Sequence, residues 1–239
     1  VLALVGLAGS IAILVRQGVL SVEAVTSAFS WVYLIVVIAF FTWLFMAGQW
    51  TKEERKRLIV IVVLFAGAAV FWSAFEQAAS TLNLFAAQNT RNSIFGWTFP
   101  SSWFQSVNAL MIIIFAPVFA WIWISLGKRD PSSPAKFAFG LVSVGLGFVV
   151  MVGAAQASAN GVLVSPMWLV LTYLLHTIGE LSLSPVGLSS MTKLAPDRVK
   201  GMMMGVWFLA ASVGNLIAGG VLRFYADFTL PQVFGAPNT

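Results

Sequence analysis

Two acidic residues stand apart from the rest. The sequence holds eight: Glu23, Glu53, Glu54, Asp130, Asp197 and Asp227 fall in polar stretches or near the ends of apolar ones, whereas Glu76 and Glu180 are embedded in apolar sequence. A carboxylate at the centre of a bilayer costs roughly 2.5–3.5 kcal/mol on insertion scales, so such a group faces a water-filled cavity or a partner. The plainer alternative is a structural ion pair or a protonated, hydrogen-bonded core acid. No Lys or Arg interrupts the apolar segments, so any cationic partner lies outside them. A carboxylate that gains and loses a cation during a conformational cycle takes up and releases a proton. That chemistry suits a proton-driven transporter more than a channel.

His176, the only histidine, precedes Glu180 by four residues, one helical turn on the same face. It titrates near neutrality and can relay protons; a neutral imidazole hydrogen-bonded within a helix bundle is the plainer expectation. One His and one Glu are too few ligands for a metal site. The absence of Cys removes thiolate zinc sites and cysteine nucleophiles. Asn108 lies in an apolar segment, where an amide either binds a substrate's charged terminus or joins two helices. Trp72 and Trp207 also lie within apolar segments, whereas Trp50, Trp97 and Trp103 fall near expected interfaces, where Trp is common.

The elements that must position these residues follow from composition. Of the 239 residues, 59% are apolar and 9% charged, and the mean hydropathy is +0.93. Soluble chains average about 45–50% apolar and about 25% charged. These values exclude an ordinary soluble enzyme, a disordered tail and a nucleic-acid-binding module, and indicate a polytopic all-α membrane protein. The sequence starts at Val1 without a basic n-region or a cleavage site and is expected to be an internal piece of a longer protein. Apolar runs predict a partial span at 1–15 and full spans at 26–48, 56–87, 101–127, 136–157, 165–192 and 200–223. The 56–87 run is expected to form one helix of about 45 Å. No run alternates with the period of a strand.

Ten of the 13 basic residues fall at 51–57, 127–136 and 193–200: Lys52, Arg55, Lys56, Arg57, Lys128, Arg129, Lys136, Lys193, Arg198 and Lys200. The alternate connections hold only Arg16, Arg91 and Arg223. This alternation places the three basic stretches on one side, the cytoplasmic one. Pro117 and Pro185 lie inside predicted spans and remove a backbone hydrogen bond there. Gly140, Gly145, Gly201, Gly205, Gly214, Gly219 and Gly220 are expected to let helices approach closely. Ser182, Ser184, Ser189 and Ser190 have no matching His/Asp arrangement, so no enzyme is expected.

Four stretches carry a resemblance: F-W-S-A-F-E-Q at 71–77, F-P-S-S-W-F-Q-S-V-N-A-L-M-I-I-I-F-A-P-V-F-A-W at 99–121, G-E-L-S-L-S-P-V-G-L-S-S-M-T-K-L-A-P at 179–196 and G-M-M-M-G-V-W-F-L-A at 201–210. In this order and spacing they resemble the C-terminal half of the proton-dependent oligopeptide transporters of the major facilitator superfamily, over about residues 56–223. The resemblance implies a C-terminal bundle at 51–239 holding helices seven to eleven, preceded at 1–50 by the two extra helices of bacterial members. The N-terminal six-helix bundle is then a partner absent from this chain.

By the same resemblance, Glu180 matches the acid that binds the peptide's amino terminus and Asn108 the amide that helps hold it. Glu76 matches the acid whose pairing with an arginine of helix one is linked to proton movement and gating. Trp72 and Trp207 match aromatic residues of the side-chain pockets, and Ser212 a polar pocket residue of helix eleven. Phe75 stands where some members have a second glutamate, which weakens any two-carboxylate scheme for this helix. The implied activity is proton-coupled symport of di- and tripeptides across a bacterial inner membrane by alternating access. Protons would be the coupling ion, with no cofactor, metal or nucleic-acid partner. The alternatives are another small substrate, such as nitrate or an amino-acid derivative, or a channel.

Overall fold

The computed structural model describes residues 21–46, 48–224 and 234; the partial span expected at 1–15 lies outside them. The chain divides into two compact units, residues 1–51 and 52–239. In the first unit, α1 (Val22–Met46) covers the span expected at 26–48. The Trp50 indole N–H donates to the Leu44 carbonyl at 2.6 Å, satisfying one of the backbone oxygens that the helix end leaves open. Phe29, Trp31, Ile35 and Trp43 are exposed along α1, as an apolar helix facing lipid requires.

The second unit runs from α2 (Lys52–Phe75) through a 3-10 turn (Glu76–Ala79) to α3 (Thr81–Asn89). A small hairpin of β1 (Ser93–Ile94) and β2 (Trp97–Thr98) follows, and a 3-10 turn (Ser101–Trp103) leads into α4 (Phe104–Leu126). Then come α5 (Ser133–Ser158), α6 (Met167–Leu194) and α7 (Met203–Phe224). Among the described residues six helical segments, α1 included, are long and apolar enough to cross a membrane. Pro117 and Pro185 lie inside α4 and α6, which continue through them.

The ends of this unit sort as the charges require. The Arg91 N–H donates to the Val164 carbonyl at 2.8 Å and the Val164 N–H to the Asn89 carbonyl at 2.9 Å, so the α3–α4 and α5–α6 connections share one end. At the other end, Val60, three residues past the first basic stretch, lines one cavity with Ser133 and Lys193 of the other two. The basic side chains sit on helix ends more than in loops. Residues 52–57 open α2. Lys136, in the first turn of α5, pairs with Asp130 at 2.7 Å and lies over the Trp123 ring at 4.4 Å.

Three expectations need correction. The 56–87 run is not one helix: it breaks at Glu76–Ala79, and Gln77 answers the break. The buried Gln77 amide donates to the carbonyls of Ser73 (3.2 Å) and Ala218 (3.4 Å), while its oxygen accepts from the Ser80 (3.0 Å) and Thr81 (2.8 Å) hydroxyls. Freed backbone groups at membrane depth demand such substitutes. There is also a hairpin, turned by Phe95 (φ 52°) and Gly96 (φ 81°). Two successive positive φ values mark the tight turn that matches strand twist.

Of the glycines, Gly140 and Gly214 mediate close approach. A Cβ on Gly140 would fall 2.6 Å from Leu183 Cβ and 2.8 Å from the Gly179 carbonyl. Positions 145, 201, 205, 219 and 220 have nothing within 4 Å of such a Cβ. The α5–α6 seam instead repeats at Gly147, which packs on the His176 ring. A seven-residue step returns to the same helix face, which the five-residue step to Gly145 does not.

A well-packed cluster lies at the hairpin end. Leu82 and Phe85 of α3, Phe104 of α4, Met151 and Ala154 of α5, and Leu169 and Tyr173 of α6 are all buried together. Lipid is as apolar as these side chains, so their cohesion comes from close packing more than from escape from water.

Candidate functional site

Glu180 lies at the middle of the 28-residue α6, where sequence placed it. Asn108 of α4 reaches across: its Nδ2 donates to Glu180 Oε2 at 3.3 Å and to Thr177 Oγ1 at 3.0 Å. Thr177 in turn donates to the Tyr173 carbonyl one turn back, at 2.8 Å. The amide is thus fixed by two acceptors on adjacent turns of α6. Both readings of Asn108 meet here, because it joins two helices and also presents an oriented dipole beside a carboxylate.

Glu76 opens the 3-10 turn that ends α2 and is half-buried. It lines a cavity of about 110 Å³ with Phe75, Ala78, Gln105, Asn108, Tyr173 and His176. Asn108 lines this cavity with Glu76 and bonds Glu180, so the two acids found on separate segments converge on one amide.

The partner of Glu76 among the described residues is Asn215 of α7. With its amide turned to donate, Nδ2 lies 3.2 Å from Oε2 and 3.3 Å from Oε1. Sequence reasoning passed over Asn215. A polar residue in an apolar helix, directly after a glycine that permits close approach, was the available signal. A Cβ on Gly214 would fall 2.6 Å from Trp72 Cβ and 2.8 Å from both the Ala69 carbonyl and the Ser73 nitrogen, so α7 runs against the α2 backbone there. Thr177 was likewise missed, because a threonine in an apolar helix satisfies itself on its own backbone and carries little signal.

His176 is 1% exposed and sits between Phe148 (5.4 Å) and Phe75 (6.1 Å). Neither ring nitrogen makes a hydrogen bond of good geometry among the described residues, though the Val144 backbone lies within electrostatic reach.

Trp72, Trp207 and Ser212 are not among the residues that line the cavity beside Glu76. Trp72 is half-buried on the α2–α7 seam, edge-on to Phe71 and Phe75, and its indole N–H meets no acceptor among the described residues. Trp207 is 5% exposed, with its ring on Gly187 of α6 and near Phe137. The Ser212 hydroxyl donates to the Phe208 carbonyl of its own helix at 2.9 Å.

Comparison with known proteins matches this arrangement to one group. The family model described as the POT family matches residues 5–236. A relative named peptide transporter YePEPT, from Yersinia enterocolitica, is 48% identical over 212 residues, covering 86% of this chain and 42% of the relative. A crystal structure of a peptide transporter POT in complex with sulfate is 40% identical, with a TM-score of 0.88, covering 98% of this chain and 47% of that one. A crystal structure of a POT family transporter in complex with a thioalcohol conjugated peptide is 29% identical, with a TM-score of 0.85, covering 98% and 48%. The chain thus spans less than half the length of each of these proteins.

Proposed function

Because the chain belongs to the POT family, we propose that it works as the C-terminal half of a proton-coupled symporter of di- and tripeptides in a bacterial inner membrane. Residues 51–239 would supply the C-terminal bundle and residues 1–50 the two helices that precede it. The partner is the N-terminal six-helix bundle, with the site between the two.

The observation that supports this reading is the Asn108–Glu180 pair at mid-membrane. A carboxylate holding one amide donor keeps lone pairs free for an ammonium group, and a charge-assisted bond of that kind is about twice as strong as a neutral one. A peptide's amino terminus fits that site; nitrate, an anion, does not. Glu76 lines a cavity together with Asn108 and would sense through it whether that site is filled. Protons need no cofactor to be carried by two such acids.

The deciding experiment uses the full-length protein in proteoliposomes. Counterflow of a labelled dipeptide should be driven by unlabelled di- and tripeptides and left unaffected by nitrate or glucose. Exchange with nitrate would overturn the substrate class. Concentrative uptake that ignores an imposed proton gradient would overturn the coupling.

A further inference from the structure

At the basic end of the second unit, a cavity of about 310 Å³ opens between α2, α5 and α6. It plays no part in the site above. Its deeper walls are Val60 and Leu64, two and three turns into α2, and Phe137 of α5. Its polar lining is Ser133, at the start of α5, with Ser190 and Lys193 in the last turns of α6.

Two further observations define what fits. Lys136 is already engaged by Asp130 and Trp123, and Lys200 lies 3.9 Å from Asp197, whereas Lys193 has no ion pair among the described residues. The N-terminus of the 26-residue α5 opens at the same place with no side-chain cap; Pro134 has no N–H to offer, and the amides of Ser133 and Ala135 on either side of it add partial positive charge. On α2, Val60 of the lining and Val63 beside it are both exposed, so the apolar wall extends to the protein surface.

We propose that this groove binds an anionic phospholipid of the cytoplasmic leaflet. Its phosphate lies on Lys193 with the Ser133 and Ser190 hydroxyls, and one acyl chain lies along Val60, Leu64 and Phe137. A soluble anion would gain nothing from the apolar walls. A protein partner needs roughly 800 Å² per side, more than a groove this narrow offers. Basic pockets between spanning helices on the cytoplasmic side suit acidic headgroups.

The test uses the full-length protein in lipid bilayers, with spin-labelled phosphatidylglycerol and phosphatidylcholine as probes. Phosphatidylglycerol should be retained in preference to phosphatidylcholine. Lys193→Gln should reduce that preference about fivefold, the effect of one lysine near an anionic surface, and Lys193→Arg should keep it. Leu64→Trp, which fills the groove and leaves the charge, should also reduce phosphatidylglycerol retention. Lys128→Gln, a basic residue of the same end outside the groove, should change nothing. Dipeptide counterflow in each variant verifies the fold. Equal retention of the two lipids by the unmodified protein overturns the proposal, as does an equal loss in Lys128→Gln. Displacement of the lipid by millimolar inorganic phosphate, with Leu64→Trp unaffected, would assign the charge to a soluble anion and overturn it as well.

Discussion

Asn215 on α7 offers its amide to both oxygens of Glu76, at 3.2 and 3.3 Å, across a seam narrow enough only because residue 214 is glycine. Glu76 is half-buried and Asn215 exposed. The amide therefore holds one side of the carboxylate and leaves another open for a second partner. On the proposed reading, a proton or a cation would exchange at Glu76 while the side chain stays in place.

Glu76→Gln should lower proton-driven peptide uptake about tenfold or more while part of the counterflow survives. A change of about 1.4 kcal/mol gives a tenfold effect, and hydrogen bonds to charged groups are worth about 1.5–3 kcal/mol. Both activities are measured on one preparation of the full-length protein. Loss of the two together would indicate a structural acid, and unchanged driven uptake would remove the coupling role.

Asn215→Leu should lower driven uptake in the same direction, and adding it to Glu76→Gln should have little further effect. Groups that act through one another show such non-additivity. If the two losses simply sum, the Asn215–Glu76 bond has no part in coupling.

Glu180→Ala should abolish dipeptide binding together with driven uptake and counterflow, and Asn108→Ala should weaken binding less. The carboxylate carries the charge, and the amide only orients it. Isothermal titration with a dipeptide reads this directly. Near-normal affinity in a well-folded Glu180→Ala protein would sink the assignment of the amino-terminus site.

Gly140→Ala should lower the melting temperature in detergent, because its Cβ meets Leu183 and the α6 backbone inside ordinary contact distance. Overpacking of this kind costs about 1–3 kcal/mol. Gly145→Ala, with open space around it, should leave the melting temperature unchanged or slightly raised. Equal effects at the two positions would contradict the seam described for α5 and α6.

The spans and the two acids were legible in the sequence for one reason. A single carboxylate among twenty apolar residues contrasts with everything near it, and bilayer thickness sets the scale for that contrast. Partnerships were less legible. Asn108 was singled out, but its second acceptor, Thr177, and the pairing of Asn215 with Glu76 depend on which helix faces lie together. The break in the second span left no local trace: the stretch from Ser73 to Thr81 holds neither Pro nor Gly, and the partners that Gln77 finds there, on α7 and α3, are distant or side-chain ones that no local pattern announces. The hairpin escaped because two-residue strands are too short to show a period.

The break also divides one membrane crossing mechanically. Below it, the rod from Lys52 to Phe75 is bolted to α7 at Gly214. Above it, the short rod from Thr81 to Asn89 is set into the aromatic end through Leu82 and Phe85. Gln77 is the pin between them, bonded to both rods and to α7 at once. Because a side chain has taken over the backbone's bonds, the two rods are joined without stripping a peptide group bare in hydrocarbon, where each would cost several kcal/mol. Glu76 sits beside that pin, so on the proposed reading whatever binds or leaves its carboxylate would act at the joint between the two rods.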